Sequence, residues 1–200
     1  MAITAEQVKQ LRDKTGAGMM ECKAALTEAN GNMEEAITFL RKRGLAQAAK
    51  RAGRATAQGT IISYIHMGGR IGVLIELNCE SDFVARTDDF GKLGHEIAMH
   101  VAAADPKWVR REDVPAEAIE KEKNIYRAQM ENSGKPAHVL DKIIEGKLGT
   151  FYSQFVLLDQ PSIRDGNVTI AQLVAQASAK TGENIQIARF VRFRVGEGAE

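Results

Sequence analysis

The first 44 residues carry hydrophobic positions at helical spacing, in three short segments separated by glycine-rich breaks. Thr4 and Gln7 form a capping box that opens the first helix, and the sequence TGAG ends it. The second helix is expected over about 19–29, and the third is expected to end near Gly44. These helices predict a compact domain, residues 1–44, that is too small to bury all its apolar surface and is expected to offer some of it to a partner.

A basic segment follows the third helix. The sequence RKRGLAQAAKRAGR, residues 41–54, holds six basic and no acidic side chains. One interpretation is a contact with RNA or phosphate. The other is a solvated alanine-rich helix, in which cations are favoured near the C-terminal end. Because the segment has no aromatic side chain for base stacking, we favour a basic helical linker over residues 45–56.

From Thr60 onward the hydrophobic period changes from that of a helix to two. Two alternating runs flank Gly68 and Gly69, and because glycine tolerates positive φ angles, they predict a β-hairpin with a tight turn. The second run is expected to place on one face the apolar side chains of Ile71, Val73, Ile75 and Leu77.

The C-terminal segment NIQIARFVRFRV also alternates and predicts a third strand. Its apolar row is expected to contain Ile185, Ile187, Val191, Phe193 and Val195. Arg189 interrupts that row, which indicates an edge position or a functional cation.

Helical periodicity occupies the chain between the hairpin and the third strand. Thr87 is expected to cap one helix. Pro115 opens a charged helix that runs to about Glu131, and the turn NSGKP leads into another, so that a helical hairpin is expected over about 115–149. Strands separated by helices predict an α+β fold, with a small antiparallel sheet and packed helices forming a core domain over residues 57–200.

The composition is that of a globular protein of one or two domains, with 200 residues, 44% hydrophobic and 26% charged. A net charge of +1 does not favour long-range attraction of the whole chain to nucleic acid or membrane. Cys22 and Cys79 make neither a disulfide framework nor a zinc cluster, so a reducing compartment is expected. Without a secretory signal or an apolar stretch of about 20 residues, a soluble, cytoplasmic protein is expected.

The chain lacks the sequence motifs of common catalytic and nucleotide-binding sites. A zinc-protease helix needs histidines four residues apart, whereas His95 and His100 are five apart and lie about 140° apart around a helix. We interpret them as a solvated or core-edge pair. No phosphate-binding glycine loop follows a strand, and neither cysteine has a nucleophile's signature. We therefore expect no catalytic residue, no metal ligand and no cofactor.

The turn CESDFVAR places a large aromatic among polar residues that cap helices. Composition alone favours a buried Phe83 beside a capping residue. The preceding strand already supplies abundant aliphatic side chains, however, and an aromatic on a polar turn is placed as interface anchors are. Phe83 is therefore either a core residue or an anchor for a partner.

Several segments resemble bacterial elongation factor Ts. NCESDFVAR, residues 78–86, is similar to the signature of that family, which usually has threonine where this chain has Ser81. LRDKTGAGMMECKAAL, residues 11–26, resembles the family's N-terminal helical pair. Further similar segments are HMGGRIGVL, VRREDVPAEAIEKEK, EGKL, LLDQP and RFVRF, so that the resemblance spans nearly the whole chain.

The resemblance implies a guanine-nucleotide exchange factor for the GTPase elongation factor Tu, with an N-terminal ubiquitin-associated-like domain that docks on the GTPase. The positions that match partner contacts of the family are Leu11, Arg12, Met19, Met20 and His66. The element that dislocates the partner's Mg²⁺ and so releases GDP matches Ser81, Asp82, Phe83 and Val84. By the same resemblance, Phe83 wedges between helices of elongation factor Tu.

The chain resembles the short members of the family, because it holds a single Asp-Phe-Val signature whereas long members carry two related core halves. A lone half is expected to form a homodimer, giving a 2:2 complex with elongation factor Tu and no direct contact with nucleic acid or membrane. The main alternative is an RNA- or ribosome-binding protein led by residues 41–54, whose affinity would fall steeply with salt. An enzyme and a structural scaffold are the others.

Overall fold

The structure, a computed structural model, describes residues 3–130 and 136–198. The helices are α1 (Ala5–Thr15), α2 (Met19–Glu28), α3 (Met33–Arg51), α4 (Asp82–Ala85), α5 (Asp88–Ala104), α6 (Ala116–Met130), α7 (Ala137–Phe155) and α8 (Ile170–Thr181). The strands are β1 (Gln58–Ile65), β2 (Ile71–Cys79) and β3 (Gln186–Arg194). They form one antiparallel sheet in the order β1-β2-β3, which confirms the predicted α+β fold.

The chain divides into two compact units, each built from three separate segments. The first comprises Met1–Ile62, Glu76–Gly94 and Gln172–Ile187, and the second Ser63–Ile75, His95–Ala171 and Ala188–Glu200. The three N-terminal helices and the turn that carries Phe83 both belong to the first unit. The domain boundaries expected at residues 44 and 56 stay predictions.

The three N-terminal helices pack around a small core of their own. Its buried side chains are Val8, Leu11, Cys22, Ala25, Leu26, Ala29 and Ala36. The predicted capping box is confirmed, since the Thr4 hydroxyl accepts from the N–H of Gln7 while the Gln7 side chain accepts from the N–H of Thr4. Gly16 then ends α1 at a φ of 67°, which a residue with a side chain rarely adopts.

Helix α3 continues seven residues past Gly44 to Arg51, so the end predicted near Gly44 was wrong. A single glycine costs a helix interior only about 1 kcal/mol, and tertiary packing outweighs it here. A Cβ built on Gly44 would lie 3.2 Å from the Cβ of Ala179. Gly44 therefore lets α3 approach α8 closely and does not stop the helix.

The hairpin between β1 and β2 has the predicted turn. Gly68 and Gly69 adopt φ angles of 85° and 67°, and the N–H of His66 donates to the carbonyl of Ile71 at 2.9 Å. In β2 the side chains of Val73, Ile75 and Leu77 are buried, as the alternation predicted, whereas Ile71 is half-buried. Thr87 also caps α5 as predicted, since its hydroxyl accepts from the N–H of Phe90 at 3.3 Å.

The C-terminal strand does not hold the single apolar row that its sequence predicted. Ile185 and Ile187 are buried, whereas Val191, Phe193 and Val195 are exposed. The inside–outside alternation shifts by one residue at Ala188 and Arg189, which are both exposed. After the shift Arg192 turns inward, and its guanidinium donates to the carbonyl of Ala102 at 3.3 Å.

Helices α6 and α7 pack against each other. Lys147 on α7 donates to the side chain of Gln129 on α6 at 2.9 Å and lies 5.0 Å from the ring centroid of Tyr126. These contacts support the predicted helical hairpin. The predicted turn NSGKP lies outside the described residues except for Pro136, and so does Glu131, the predicted end of α6.

Candidate functional site

The turn that follows β2 displays an aromatic ring on the protein surface. Phe83 is 81% exposed, although it lies within the short helix α4. Its neighbours Asp82 and Val84 are half-buried. Of the two alternatives left by the sequence, a core residue and an exposed anchor, the structure has the exposed one. A large exposed apolar side chain on a polar turn is typical of a contact surface.

The backbone around Phe83 is fixed by local hydrogen bonds. Ser81 is the N-cap of α4, and its hydroxyl accepts from the N–H of Val84 at 3.4 Å. The carbonyl of Ser81 accepts from the Cys79 thiol at 3.1 Å and from the N–H of Ala85 at 3.3 Å. The ring of Phe83 is therefore presented from an ordered turn.

A carboxylate from a distant part of the chain also holds this turn. Glu183 lies between α8 and β3, and its Oε2 accepts from the N–H groups of Glu80 at 3.1 Å and Ser81 at 3.0 Å. Its Oε1 accepts from the Ser81 hydroxyl at 2.5 Å. Sequence patterns missed Glu183, because it is 102 residues from Ser81 and belongs to no motif.

A second set of contacts joins the same turn to the end of the basic segment. Glu80 Oε1 accepts from the N–H of Asn184 at 2.6 Å and pairs with Arg54 at 3.4 Å. The N–H of Asn184, more than Arg54, lowers the pKa of Glu80 below its usual value. Asn184 in turn donates to the carbonyls of Ala52 and Arg54. The turn, the α8–β3 connection and the end of α3 thus form one network.

Half of the cations of residues 41–54 contact this chain itself. Arg41 donates to Gln172 at 2.7 Å, Arg51 donates to the carbonyl of Ser178 at 3.4 Å, and Arg54 pairs with Glu80. The other three cations, Lys42, Arg43 and Lys50, are exposed. Internal contacts thus account for part of the basic run without a nucleic-acid ligand.

Asp82 forms an ion pair with Arg86 at 2.9 Å, one helical turn further along the chain. The Arg86 side chain is 80% exposed, and pairs as open as this contribute about 0–1 kcal/mol. A partner can therefore replace this contact at little cost, and Asp82 is accessible beside Phe83.

The N-terminal candidate residues are divided between surface and core. Met19 and Met20, in the first turn of α2, are 45% and 75% exposed, and Arg12 on α1 is also exposed. Leu11 is completely buried among the three helices. Its side chain stabilises this module and does not reach the surface, so the candidate contacts here are Arg12, Met19 and Met20.

His66 lies in the second unit, at the end of the β1–β2 hairpin. It is exposed, and its Nδ1 lies 3.0 Å from the Tyr64 hydroxyl. The adjacent Met67 is almost fully exposed. This hairpin end is a separate candidate contact.

The second unit also exposes an apolar sheet face. The exposed apolar side chains are Ile65 on β1, Leu74 on β2, Val191 and Phe193 on β3, and Val195 directly after β3. Leu74 alternates with the buried Val73 and Ile75, and a Cβ on Gly72, two residues from Leu74, would lie 3.1 Å from Ile65 Cδ1. We call this set the outer sheet face.

The histidines do not form a reactive pair. His95 is exposed, whereas His100 is buried more deeply than the expected core edge. His100 Nε2 lies 2.9 Å from Gln160 Oε1, and its Nδ1 accepts from the N–H of Ile163, so both nitrogens are used. Burial lowers the pKa of His100.

Within residues 3–130 and 136–198, no three His, Cys, Asp or Glu side chains are grouped so as to hold a metal ion. None of the helices in this part of the chain is long and apolar enough to cross a bilayer.

Comparison with known proteins gives a consistent result over the whole chain. The family model described as elongation factor TS matches residues 1–197. A protein named elongation factor Ts from Fervidobacterium nodosum is 64% identical over 197 residues, which cover 98% of this chain and 100% of that protein. Proteins of the same name from Koribacter versatilis and Geobacter sulfurreducens are 58% and 53% identical, cover all of this chain, and are themselves covered to 91% and 93%.

Proposed function

The chain belongs to the elongation factor Ts family, and we propose that it is a guanine-nucleotide exchange factor for elongation factor Tu during translation elongation. The observation that carries the proposal is the exposed ring of Phe83 on an ordered turn within the family's signature. In this role the protein binds the GDP form of its partner, promotes release of GDP and leaves the site free for GTP. It makes and breaks no covalent bond.

We propose that Phe83 acts as a wedge. An exposed phenyl ring that becomes buried between helices of the partner gains about 1.5–3 kcal/mol of hydrophobic free energy. This gain is available only when the partner's helices separate, so it favours the opened conformation. Separation displaces the groups that hold the partner's Mg²⁺, and GDP loses its bridging cation. Ser81 and Val84 flank the wedge and hold its backbone.

Asp82 supplies a charge beside the wedge. Its pair with Arg86 is open to solvent, so a polar group of the partner can take the place of Arg86. A carboxylate brought near a Mg²⁺ site also competes for the side chains and waters that surround the ion. We propose that Asp82 helps to dislocate the partner's Mg²⁺ in this way and does not itself ligate the ion.

The free-energy relation between nucleotide and exchange factor is reciprocal. If this chain binds nucleotide-free elongation factor Tu more tightly than the GDP form, GDP must bind the complex more weakly by the same factor. A factor of 100 corresponds to about 2.7 kcal/mol of coupling, which is within the usual range for linked sites. Burial of one phenyl ring supplies much of this energy.

The three N-terminal helices are proposed as a ubiquitin-associated-like docking domain. Met19, Met20 and Arg12 form its contact, since all three are exposed. Methionine is suited to this because its side chain is flexible and polarisable. His66 is proposed as a further contact from the hairpin end. Docking by these residues gives affinity, whereas Phe83 and Asp82 act on the nucleotide site.

The outer sheet face is proposed as the seam of a homodimer that binds two molecules of elongation factor Tu. Exposed apolar patches of this kind are uncommon on monomeric proteins. A second copy is the occupant that fits best, because long members of the family resemble two such core halves joined in one chain. Sedimentation at micromolar concentration tests the proposal, and a purely monomeric chain would contradict it.

Release of a fluorescent GDP analogue from elongation factor Tu tests the main proposal. Addition of this chain is expected to accelerate release, and addition of excess unlabelled GTP is expected to complete it. Phe83→Ala is expected to slow the release while the variant still binds. An unchanged release rate with the wild-type chain would overturn the assignment.

A further inference from the structure

Glu183 supplies acceptors to the segment that leads into Phe83. The three groups that donate to its carboxylate, two N–H groups and one hydroxyl, all belong to Glu80 and Ser81. Glu80 and Ser81 precede Phe83 by only three and two positions. The direction of the chain at Phe83 therefore depends on where this carboxylate is held.

A carboxylate is well suited to this position. Hydrogen bonds to a charged acceptor are stronger than those between neutral groups, and one carboxylate has room for several donors. The Ser81 hydroxyl donates to Glu183 and accepts from the N–H of Val84, so it connects the carboxylate to the first turn of α4. A change at Glu183 is thus passed directly to the helix that carries Phe83.

Glu183 itself is held by its neighbours on the other side. Its carbonyl accepts a hydrogen bond from the hydroxyl of Ser178, which is buried on α8. Asn184, the next residue, is buried and donates to the carbonyls of Ala52 and Arg54. Because these anchors are buried, the carboxylate is placed by the packed part of the first unit.

We propose that Glu183 is a positioning residue for nucleotide exchange, which fixes the turn at Glu80 and Ser81 so that Phe83 projects in the orientation the partner requires. This inference rests on the proposed function. The physical basis is preorganisation, since a turn ordered before binding loses less conformational entropy in the complex. Glu183 need not touch elongation factor Tu, and it acts through Phe83.

The experiment measures GDP release from elongation factor Tu at increasing concentrations of the full-length chain. In Glu183→Gln one oxygen is replaced by an amide that cannot accept, so at least one of the three hydrogen bonds is lost. We expect the maximal release rate to fall about tenfold. The half-saturating concentration should change less than about threefold, because the docking contacts at Met19 and Met20 are intact.

The double variant Phe83→Ala with Glu183→Gln distinguishes positioning from a general structural role. If Glu183 acts through Phe83, the double variant should be no slower than Phe83→Ala alone. Lys180→Ala is the matched control. Lys180 lies in the last turn of α8, and its replacement removes an ion pair with Asp89. Among the contacts of the described residues, Lys180 has none with Glu80 or Ser81. This control should release GDP at the wild-type rate.

A measurement on the free chain makes the test independent of elongation factor Tu. Hydrogen exchange at the amides of Glu80 and Ser81 should accelerate in Glu183→Gln, while the melting temperature changes by only a few degrees. Unchanged amide exchange, a wild-type release rate in Glu183→Gln, or losses that multiply in the double variant would each overturn the proposal. If even the wild-type chain does not accelerate release, the proposed function fails first and this inference with it.

Discussion

Phe83 and Phe90 are seven residues apart in the same unit, and their replacement by alanine should separate function from folding. Phe83 is 81% exposed and packs little against this chain, whereas Phe90 on α5 is 1% exposed. Phe83→Ala is therefore expected to impair exchange without unfolding the protein. Phe90→Ala is expected to destabilise the protein by leaving a cavity.

The magnitudes follow from the burial of each ring. An exposed substitution usually changes the free energy of unfolding by less than about 0.5 kcal/mol, which is the expectation for Phe83→Ala. Phe90→Ala should cost about 3–5 kcal/mol. If the Phe83 ring becomes buried in the complex, its loss removes about 1.5–3 kcal/mol from the opened state, or about 10- to 150-fold in the efficiency of GDP release.

Urea unfolding and stopped-flow release of labelled GDP measure the two quantities on the same preparations. The expected pattern is a Phe83→Ala variant with wild-type stability and slow exchange, and a Phe90→Ala variant with low stability. At a temperature where Phe90→Ala is folded, its exchange should be close to wild type. A stable Phe83→Ala variant that exchanges as fast as wild type would refute the wedge, and Phe83 would need another explanation.

Two further predictions concern the second unit. Burial keeps the pKa of His100 below its ordinary value, so the unfolded chain takes up a proton below about pH 6.5 while the native chain does not. Native stability should thus fall as the pH drops below about 6.5 toward the native pKa, by at most about 1.4 kcal/mol per pH unit, and urea unfolding should show a shallower dependence in His100→Gln. If the outer sheet face is the seam of the proposed homodimer, Phe193→Glu should shift the chain from dimer to monomer in sedimentation without lowering helix content. A variant that sediments as the wild type does would show that this face is not the seam.

Much of the fold could be predicted because local chemistry determines it. Thr4 and Gln7 cap α1 and the paired glycines turn the hairpin, as their side chains and conformational freedom dictate. The end of α3 could not be predicted from Gly44, because the reason for that glycine is its close approach to α8. A glycine indicates the end of a helix only when no packing contact requires a glycine at that position.

The candidate site was predictable in part. The signature pointed to Phe83, but exposure depends on whether the folded chain covers the ring, and composition alone favoured a buried one. Glu183 was not predictable, since its importance arises from contacts across 102 residues. The outer sheet face was missed because the inside–outside alternation of β3 shifts at Ala188 and Arg189.

The affinity of this chain for elongation factor Tu, measured with the partner free of nucleotide and again with GDP bound, tests the central claim most directly. Exchange by stabilisation of the opened state requires tighter binding to the nucleotide-free form, by about 100-fold if the coupling is near 2.7 kcal/mol. Phe83→Ala should reduce this ratio and leave the affinity for the GDP form nearly unchanged. Equal affinities for the two forms would contradict the account, because a ligand that binds two states equally shifts neither.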